Sequence, residues 1–300
     1  MRVFVTGAAG FVGPHLLREL ASAGAETRAS DRELDVTDPA ALAPALAAFA
    51  PDAVVHLAAQ SSVARSLGRP LETWRINYLG SRSLIDALRR AAPRARLLLV
   101  SSADVYGRAL PGARPFRESD PLRPDSPYGR SKAAAELLAR ERASCGLDLV
   151  CARAFNHSGP GQSATFALPA FASQLAAIEA GRAPARLAVG NLESTRDFLD
   201  VRDVVRAYLR LLDPATPAGV YNVASGRGRT LRELVRALIA LSGVEPELCE
   251  SPELWRATEA SVGDASRLRL ATGWQPALPL EQTLRDLLDD WRARTPRAGR

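Results

Sequence analysis

The sequence predicts an α/β fold: a doubly wound parallel sheet joined to a second, smaller domain. Three observations carry that expectation. Through the first half, short apolar runs alternate with longer helical patterns; a glycine-rich turn follows the first run directly; and near residue 160 the alternation gives way to Gly- and Pro-rich loops between shorter helices. Strand–helix alternation at this spacing requires right-handed crossovers, which build a parallel sheet with helices on both faces.

The expected strands cover 2–6, 26–30, 53–57, 96–101 and 148–154, and the helical patterns between them cover 11–23, 39–49, 71–92 and 126–144. In the second half, loops such as Gly159-Pro160-Gly161 and 214–219 separate helices at 166–180, 201–212, 231–242 and 280–292. The predicted division is a first domain over 1–160, with 196–217 packing back on it, and a second from 161–195 and 218–300. The second would close over the C-terminal edge of the sheet, where ligands of open α/β sheets sit.

Composition excludes several classes. The chain has 300 residues, 47% hydrophobic and 24% charged, enough to bury a core without disulfides or metals. No apolar run approaches the ~20 residues of a membrane helix, and Met1–Gly7 reads as a strand entering a turn rather than a signal peptide. Three cysteines, Cys145, Cys151 and Cys249, at unrelated spacings form neither a disulfide framework nor a zinc ribbon. They suit the cytoplasm, and no metal site is expected. The net charge is +6, but the arginines are scattered among acids along helical faces, so no nucleic-acid partner and no membrane are expected. Of the 39 basic residues only Lys132 is lysine, and asparagine occurs only at 77, 156, 191 and 222. A GC-rich codon bias accounts for the arginines and makes the surviving Lys and Asn positions worth locating.

The first motif is Gly7-Ala8-Ala9-Gly10-Phe11-Val12-Gly13, between the first strand and first helix. Glycines there permit a tight turn and close approach of backbone to a pyrophosphate held on the helix N-terminus. Its spacing has one more residue between the first two glycines than the common dinucleotide fingerprint. Asp31, 18 residues past Gly13, ends the second strand, where a carboxylate accepts from an adenosine ribose hydroxyl. Arg32 follows and could meet a 2′-phosphate, so NADH and NADPH both stay open, with Asp31 favouring NADH. The second motif is Tyr128-Gly129-Arg130-Ser131-Lys132 on a helix, with Ser101-Ser102 ending the preceding strand. Tyr and Lys at i and i+4 share a helix face. A nearby ammonium is expected to lower the phenol pKa and make it a usable acid/base, with Ser102 bonding the same substrate oxygen.

With Asp35-Val36, His56-Leu57-Ala58-Ala59-Gln60, Asn77 and Tyr106-Gly107, these motifs resemble an extended short-chain dehydrogenase/reductase acting on nucleotide sugars, over nearly the whole chain. The resemblance implies a Rossmann dinucleotide-binding first domain and a nucleotide-sugar-binding second. It makes Ser102, Tyr128 and Lys132 catalytic, puts Asp35 and Val36 at the adenine and Leu57, Ala58 and Ala59 along the cofactor, and has Asn77 stabilise the helix behind the site. The segment Arg153-Ala154-Phe155-Asn156-His157-Ser158-Gly159-Pro160-Gly161-Gln162 resembles that of the GDP-mannose 4,6-dehydratase and GDP-4-keto-6-deoxymannose reductase group, where it meets nicotinamide and sugar diphosphate. This brings Phe155 to the cofactor and Asn156 to the substrate. By the same likeness Arg196 holds the diphosphate, and Arg256 and Glu259 contact phosphate and ribose, although Ala257 stands where the group usually has proline. A surface ion pair at Arg196, a solvated Glu259 and a turn at Asn222 are the competing readings of those positions. His56 and His157 read as packed, hydrogen-bonded side chains.

Related dehydratases place Thr, then Asp or Ser, then a proton-abstracting Glu where this chain has Ser102-Ala103-Asp104. The carboxylate of Asp104 is one methylene shorter and its neighbour is inert. A 4-keto reductase needs only a hydride donor and the Tyr128 proton. The expected activity is therefore NAD(P)H-dependent reduction of a nucleotide-linked 4-keto-6-deoxyhexose, GDP-linked, giving a GDP-rhamnose type product. The alternatives are a GDP-mannose 4,6-dehydratase or 4-epimerase, and a non-catalytic dinucleotide-binding sensor. Helices 71–92 and 126–144 resemble the pair that forms a dimer interface in this family, so a homodimer is expected.

Overall fold

The computed structural model describes residues 1–31, 33–110, 112–251, 253 and 258–296. Strand β1 (Arg2–Thr6) leads through α1 (Val12–Ser22), β2 (Glu26–Ser30) and α2 (Pro39–Phe49) to β3 (Ala53–His56). Then come α3 (Val63–Gly68), α4 (Pro70–Trp74), a π-helical turn (Arg75–Leu79), α5 (Gly80–Ala91), β4 (Arg96–Ser102), α6 (Pro127–Ala143) and β5 (Leu149–Ala154). The second half runs β6 (Asn156–Ser158), α7 (Ala167–Glu179), β7 (Arg186–Val189), β8 (Thr195–Asp200), α8 (Val201–Leu212), β9 (Gly219–Val223) and β10 (Gly228–Thr230). It ends with α9 (Leu231–Ser242), β11 (Glu247–Glu250), β12 (Ala260–Ser261), α10 (Ser266–Thr272) and α11 (Leu280–Arg294).

Six strands form one parallel sheet in the order β2-β1-β3-β4-β5-β9. Successive side chains of a strand point to opposite faces, and here both faces are apolar. Val3, Val5, Val55, Leu98 and Val150 pack on one side with Leu16 and Leu20 of α1 and Tyr208 of α8. Phe4, Val54, Leu97, Leu99 and Leu149 pack on the other with Leu42 and Leu46 of α2 and Leu84 and Leu88 of α5. Covering both faces is what makes these strands near-continuous apolar runs. The strand order reverses between β1 and β3, and the crevice at their carboxyl ends is where such folds bind ligands.

Two details differ from the sequence expectation. Residues 219–223, assigned to the second domain, run as β9 beside β5, with Tyr221 and Val223 buried in the first core. The Gly/Pro loop before them marks a chain return to the sheet. The helix expected over 71–92 is interrupted by the π turn, which carries the buried Asn77.

The remaining elements sit on the C-terminal side of the sheet. β8 pairs with β10 on one edge and with β12 and β6 on the other. Around it, Leu175 of α7, Leu234 and Leu238 of α9 and Leu284 and Leu288 of α11 make a separate apolar cluster. The β6–β8 pairing sets Asn156 opposite Phe198, and β12 sets Ala260 opposite Thr195. Arg196 and Glu259 therefore arrive together near the end of β5. No helix among the described residues is long and apolar enough to cross a membrane.

Candidate active site

The glycine-rich turn is shaped by two forced approaches. Gly7 has φ +71°, and a Cβ there would stand 2.6 Å from the Ala58 backbone; a Cβ on Gly13 would stand 2.0 Å from the Ala8 carbonyl oxygen. Gly10 N–H donates to the Gly7 carbonyl (3.1 Å) and Gly13 N–H to that of Gly10 (3.2 Å). Helix α1 begins at Val12 with Phe11 before it and no side chain capping its N-terminus. Its leading N–H groups thus stay open to an anion in the crevice, so the turn fits a dinucleotide pyrophosphate. Ala8 N–H donates to the Ser30 carbonyl (3.0 Å), which brings Asp31 to the same edge, and half-buried Leu57, Ala58 and Ala59 line it from β3. Arg32 lies outside the described residues.

Asp35 is already engaged: its carboxylate accepts from the Thr37 N–H and hydroxyl (2.8 Å each) and from Arg75 (3.1 Å). The Thr37 N–H bond, with the hydroxyl and Arg75, holds it below the usual carboxylate range. Val36 is buried, pressed towards Gly80. Phe155 departs from its expected place. Its ring is only 1% exposed and packs on Tyr106 (centroids 6.2 Å) and towards Gly263, so it offers no face to a cofactor.

Ser102 ends β4 and Tyr128 stands in the first turn of α6, which Ser126 caps through Gly129 N–H (3.0 Å). The Tyr128 phenol is buried within hydrogen-bonding reach of Ser102. The expected lowering of its pKa is overturned. Burial first, then the Asp104 charge, push it above the ordinary value, and the Ser102 bond opposes them only in part. Lys132, one turn on, donates to the Val100 carbonyl at 2.9 Å, and burial pulls its pKa down to about 8. Ser102 Oγ donates to Asp104 Oδ2 (3.0 Å) and accepts from the Asp104 N–H (3.1 Å). Asp104 opens onto the cleft, yet its carboxyl sits low against protein, and desolvation there raises its pKa. His56 bonds Thr6 (2.8 Å) and Ser81 (3.0 Å); burial, aided by Lys132, lowers its pKa to about 3, so it stays neutral. His157 donates from Nδ1 to the Phe155 carbonyl (2.9 Å) and stacks on Phe11 (6.0 Å).

Across the cleft, Asn156 is exposed at the start of β6. Arg196 ion-pairs with Glu259 and also donates to the carbonyls of Thr195 (3.0 Å) and Glu259 (3.1 Å). Both side chains are mostly covered, 18% and 23% exposed, so this is not a surface pair. Arg108, paired with Asp125, reaches Glu259 at 3.2 Å. Arg256 lies outside the described residues.

Of the polar scaffold behind the site, the sequence reading had Asn77 alone and missed the rest. Asn77 accepts from Gln60 N–H (2.8 Å) and donates to the Gln60 carbonyl (3.1 Å) and Ser131 (3.0 Å), tying the β3 exit loop to α6. Arg153 meets Glu136 of α6 and Tyr106 (2.8 Å), whose hydroxyl donates to Asn222 (2.6 Å). Asn222 is not a turn residue; it is fully buried in β9. One signal was available: Tyr128, Lys132 and Glu136 form an i, i+4, i+8 row.

A glycine-rich crevice beside a Ser, Tyr and Lys cluster defines a dinucleotide-dependent enzyme of the Rossmann type. The chain belongs to the NAD dependent epimerase/dehydratase family, whose model matches residues 3–224. It is 40% identical over 298 residues to GDP-6-deoxy-D-mannose reductase of Pseudomonas aeruginosa, covering 98% of each chain. Among solved structures it is similar to RMD from Pseudomonas aeruginosa complexed with NADPH (TM-score 0.89, 39% identity, 98% of this chain and 99% of that one). It is also similar to a Thermus thermophilus UDP-glucose 4-epimerase in complex with NAD (TM-score 0.85, 32% identity, 97% and 99%).

Proposed function

We propose that this chain reduces a nucleotide-linked 4-keto-6-deoxyhexose with NAD(P)H, the substrate being GDP-4-keto-6-deoxymannose and the product of GDP-rhamnose type. The observation that carries this reading is the place of Tyr128: its phenol is buried in the first turn of α6 within hydrogen-bonding reach of Ser102, protonated at neutral pH and set to donate to a carbonyl oxygen held by Ser102. The crevice would hold a reduced nicotinamide cofactor, whose contribution there would be the hydride. Ser102 holds the substrate oxygen, and Asp104, accepting from that hydroxyl, orients it. Tyr128 passes its proton to the oxygen as the carbon becomes tetrahedral, and the Lys132 ammonium one turn away stabilises the phenolate left behind. Gly7, Gly10, Val12 and Gly13 would hold the pyrophosphate, Asp31 the adenosine ribose, and Arg196 with Glu259 the sugar nucleotide. The GDP preference draws on the likeness to the Pseudomonas aeruginosa reductase.

A second reading is favoured by Asp104. A carboxyl of raised pKa opening onto the cleft is suited to taking a sugar proton, as dehydration of GDP-mannose requires. One experiment separates the two. Purified protein is expected to oxidise NADH or NADPH stoichiometrically with GDP-4-keto-6-deoxymannose and to leave GDP-mannose unchanged. Conversion of GDP-mannose without added reductant would replace reductase by dehydratase.

The working unit in this reading is a homodimer. Of the nine large hydrophobics exposed among the described residues, five (Val63, Leu67, Leu71, Leu79 and Leu137) lie on α3, α4, the π turn and α6. A monomer in sedimentation at micromolar concentration would remove this part. Free Cys145, Cys151 and Cys249 suit action in the cytoplasm.

A further inference from the structure

One turn beyond Lys132 on the same row of α6, Glu136 is completely buried. A carboxylate there, at i+4 from a lysine, shares its helix face and is within reach of an ion pair with it. It does not form that pair. Lys132 donates instead to the Val100 carbonyl of β4 (2.9 Å), and Glu136 is held by Arg153 of β5, whose Nε lies 3.2 Å and 3.0 Å from its two oxygens and whose Nη2 completes a fork. Ser101 Oγ donates to the same carboxylate at 3.0 Å. Arg153 is only 1% exposed and is itself fixed by the Tyr106 hydroxyl (2.8 Å), the Glu118 carbonyl (3.1 Å) and the Tyr106 ring face (4.8 Å).

The charges around the two groups complete the picture. Lys132 faces His56 of β3, the Val100 carbonyl of β4 and Cys151 of β5, with Tyr128 one turn before it on its own helix. Glu136 faces Arg153 and Cys151 of β5, Ser101 of β4 and, at 3.9 Å, Arg140 of its own helix. His56 and Cys151 are buried and neutral, so Glu136 is the carboxylate that Lys132 would take if it were free. A buried ion pair as a whole contributes little to stability, whereas removing one partner leaves the other charge buried and uncompensated.

We propose that Arg153 is a positioning residue for the reaction: by locking Glu136 it keeps that carboxylate from capturing the Lys132 ammonium, which stays on the Val100 carbonyl, one turn from Tyr128. The inference rests on the role given to Lys132 in the proposed reduction. Neutralisation of Glu136 by Arg153 is in keeping with Lys132 titrating near 8 with burial as the cause and no lift from its own helix.

The single lysine makes a direct test possible, because ¹³C-lysine labelling yields one side-chain signal whose pH titration reports Lys132 without substrate or cofactor. In wild type the midpoint is expected near 8. Arg153→Met should raise it by about one unit or more, as a carboxylate within reach does, and lower turnover roughly tenfold or more through misplacement of the ammonium. The double variant Glu136→Leu/Arg153→Met removes both charges; its midpoint should return to the wild-type value and turnover to within about threefold of it. Glu136→Gln, with Arg153 kept, should leave the midpoint in place. An unchanged midpoint in folded Arg153→Met overturns the proposal. So does a fall of about a unit in Glu136→Gln, which decides the matter if the arginine variant does not fold, because Glu136 would then already be the counterion of Lys132. A double variant with a wild-type midpoint but no recovery of turnover reduces the pair to a structural tether and also overturns it. Wild-type protein inactive on the keto sugar would defeat the reductase reading instead, while the titration would still decide what Arg153 does.

Discussion

Replacing Lys132 with methionine is expected to stabilise the protein while silencing it. Burial lowers the ammonium from 10.5 to about 8. That difference of 2.5 units, at ~1.36 kcal/mol per unit, makes the charge cost about 3 kcal/mol in the folded state at pH 7. Methionine fills a similar volume without the charge and forfeits the bond to the Val100 carbonyl, about 1 kcal/mol. The net gain is about 2 kcal/mol, or roughly 3 °C in Tm for a chain of this size. The pH dependence fixes the cause. Below pH 8 lysine is charged in folded and unfolded chains alike, and the full cost is present. Between about 8 and 10.5 the unfolded chain binds the proton that the folded one has shed, so wild-type stability climbs. The advantage of the variant should thus be largest at pH 7 and shrink to a fraction by about pH 9.5. Melting curves at the two pH values, beside single-turnover rates, give the answer. A lower Tm at pH 7, a difference independent of pH, or near-wild-type turnover would refute the reasoning.

Asp31→Ala should shift selectivity towards NADPH by about tenfold, because it removes an acceptor for the ribose hydroxyls and a repulsion for a 2′-phosphate; equal changes in Kd for both cofactors would contradict the assignment. Gly13→Ala places a Cβ 2.0 Å from the Ala8 carbonyl oxygen and should cost about 3 kcal/mol in urea unfolding, with cofactor binding lost. Asn77→Leu strands the backbone groups of Gln60 and the Ser131 hydroxyl at buried sites, and should lower stability by about 2–4 kcal/mol in the same measurement.

The parts of this molecule legible in the sequence are those whose physical cause is local. Gly7 and Gly13 can be read because only glycine survives such backbone approaches, whatever the partner. The strand 2–6 appears where expected because both faces of the sheet bury its side chains over a short run, whereas 26–30, largely exposed, is the edge strand that pairs with it. Lys132 stood out because it is the single lysine in a chain otherwise written in arginine. Even the boundary that moved had a local basis: the loop before β9 carries the composition of a linker, and only its register with β5 shows it returning to the first sheet.

What escaped was set by partners distant in the chain. Tyr and Lys at i and i+4 imply a lowered phenol pKa only if the ammonium is the nearest charge. Here Lys132 turns to Val100 and Asp104 lies closer in effect, so burial decides and the sign reverses. The phenol keeps its proton at neutral pH and can give it to a carbonyl oxygen, which is the need of a reduction. The deciding contacts join residues 17 positions apart in Glu136 and Arg153, 63 apart in Arg196 and Glu259 and 116 apart in Tyr106 and Asn222. No periodicity encodes such pairings. Each charged member alone reads as one more arginine or glutamate, and only once two elements are packed does the cost of an unpaired buried charge require its partner. The protonation of Tyr128 is therefore set by its burial and by Asp104 and Ser102 beside it, not by the Tyr128–Lys132 spacing that first marks the site.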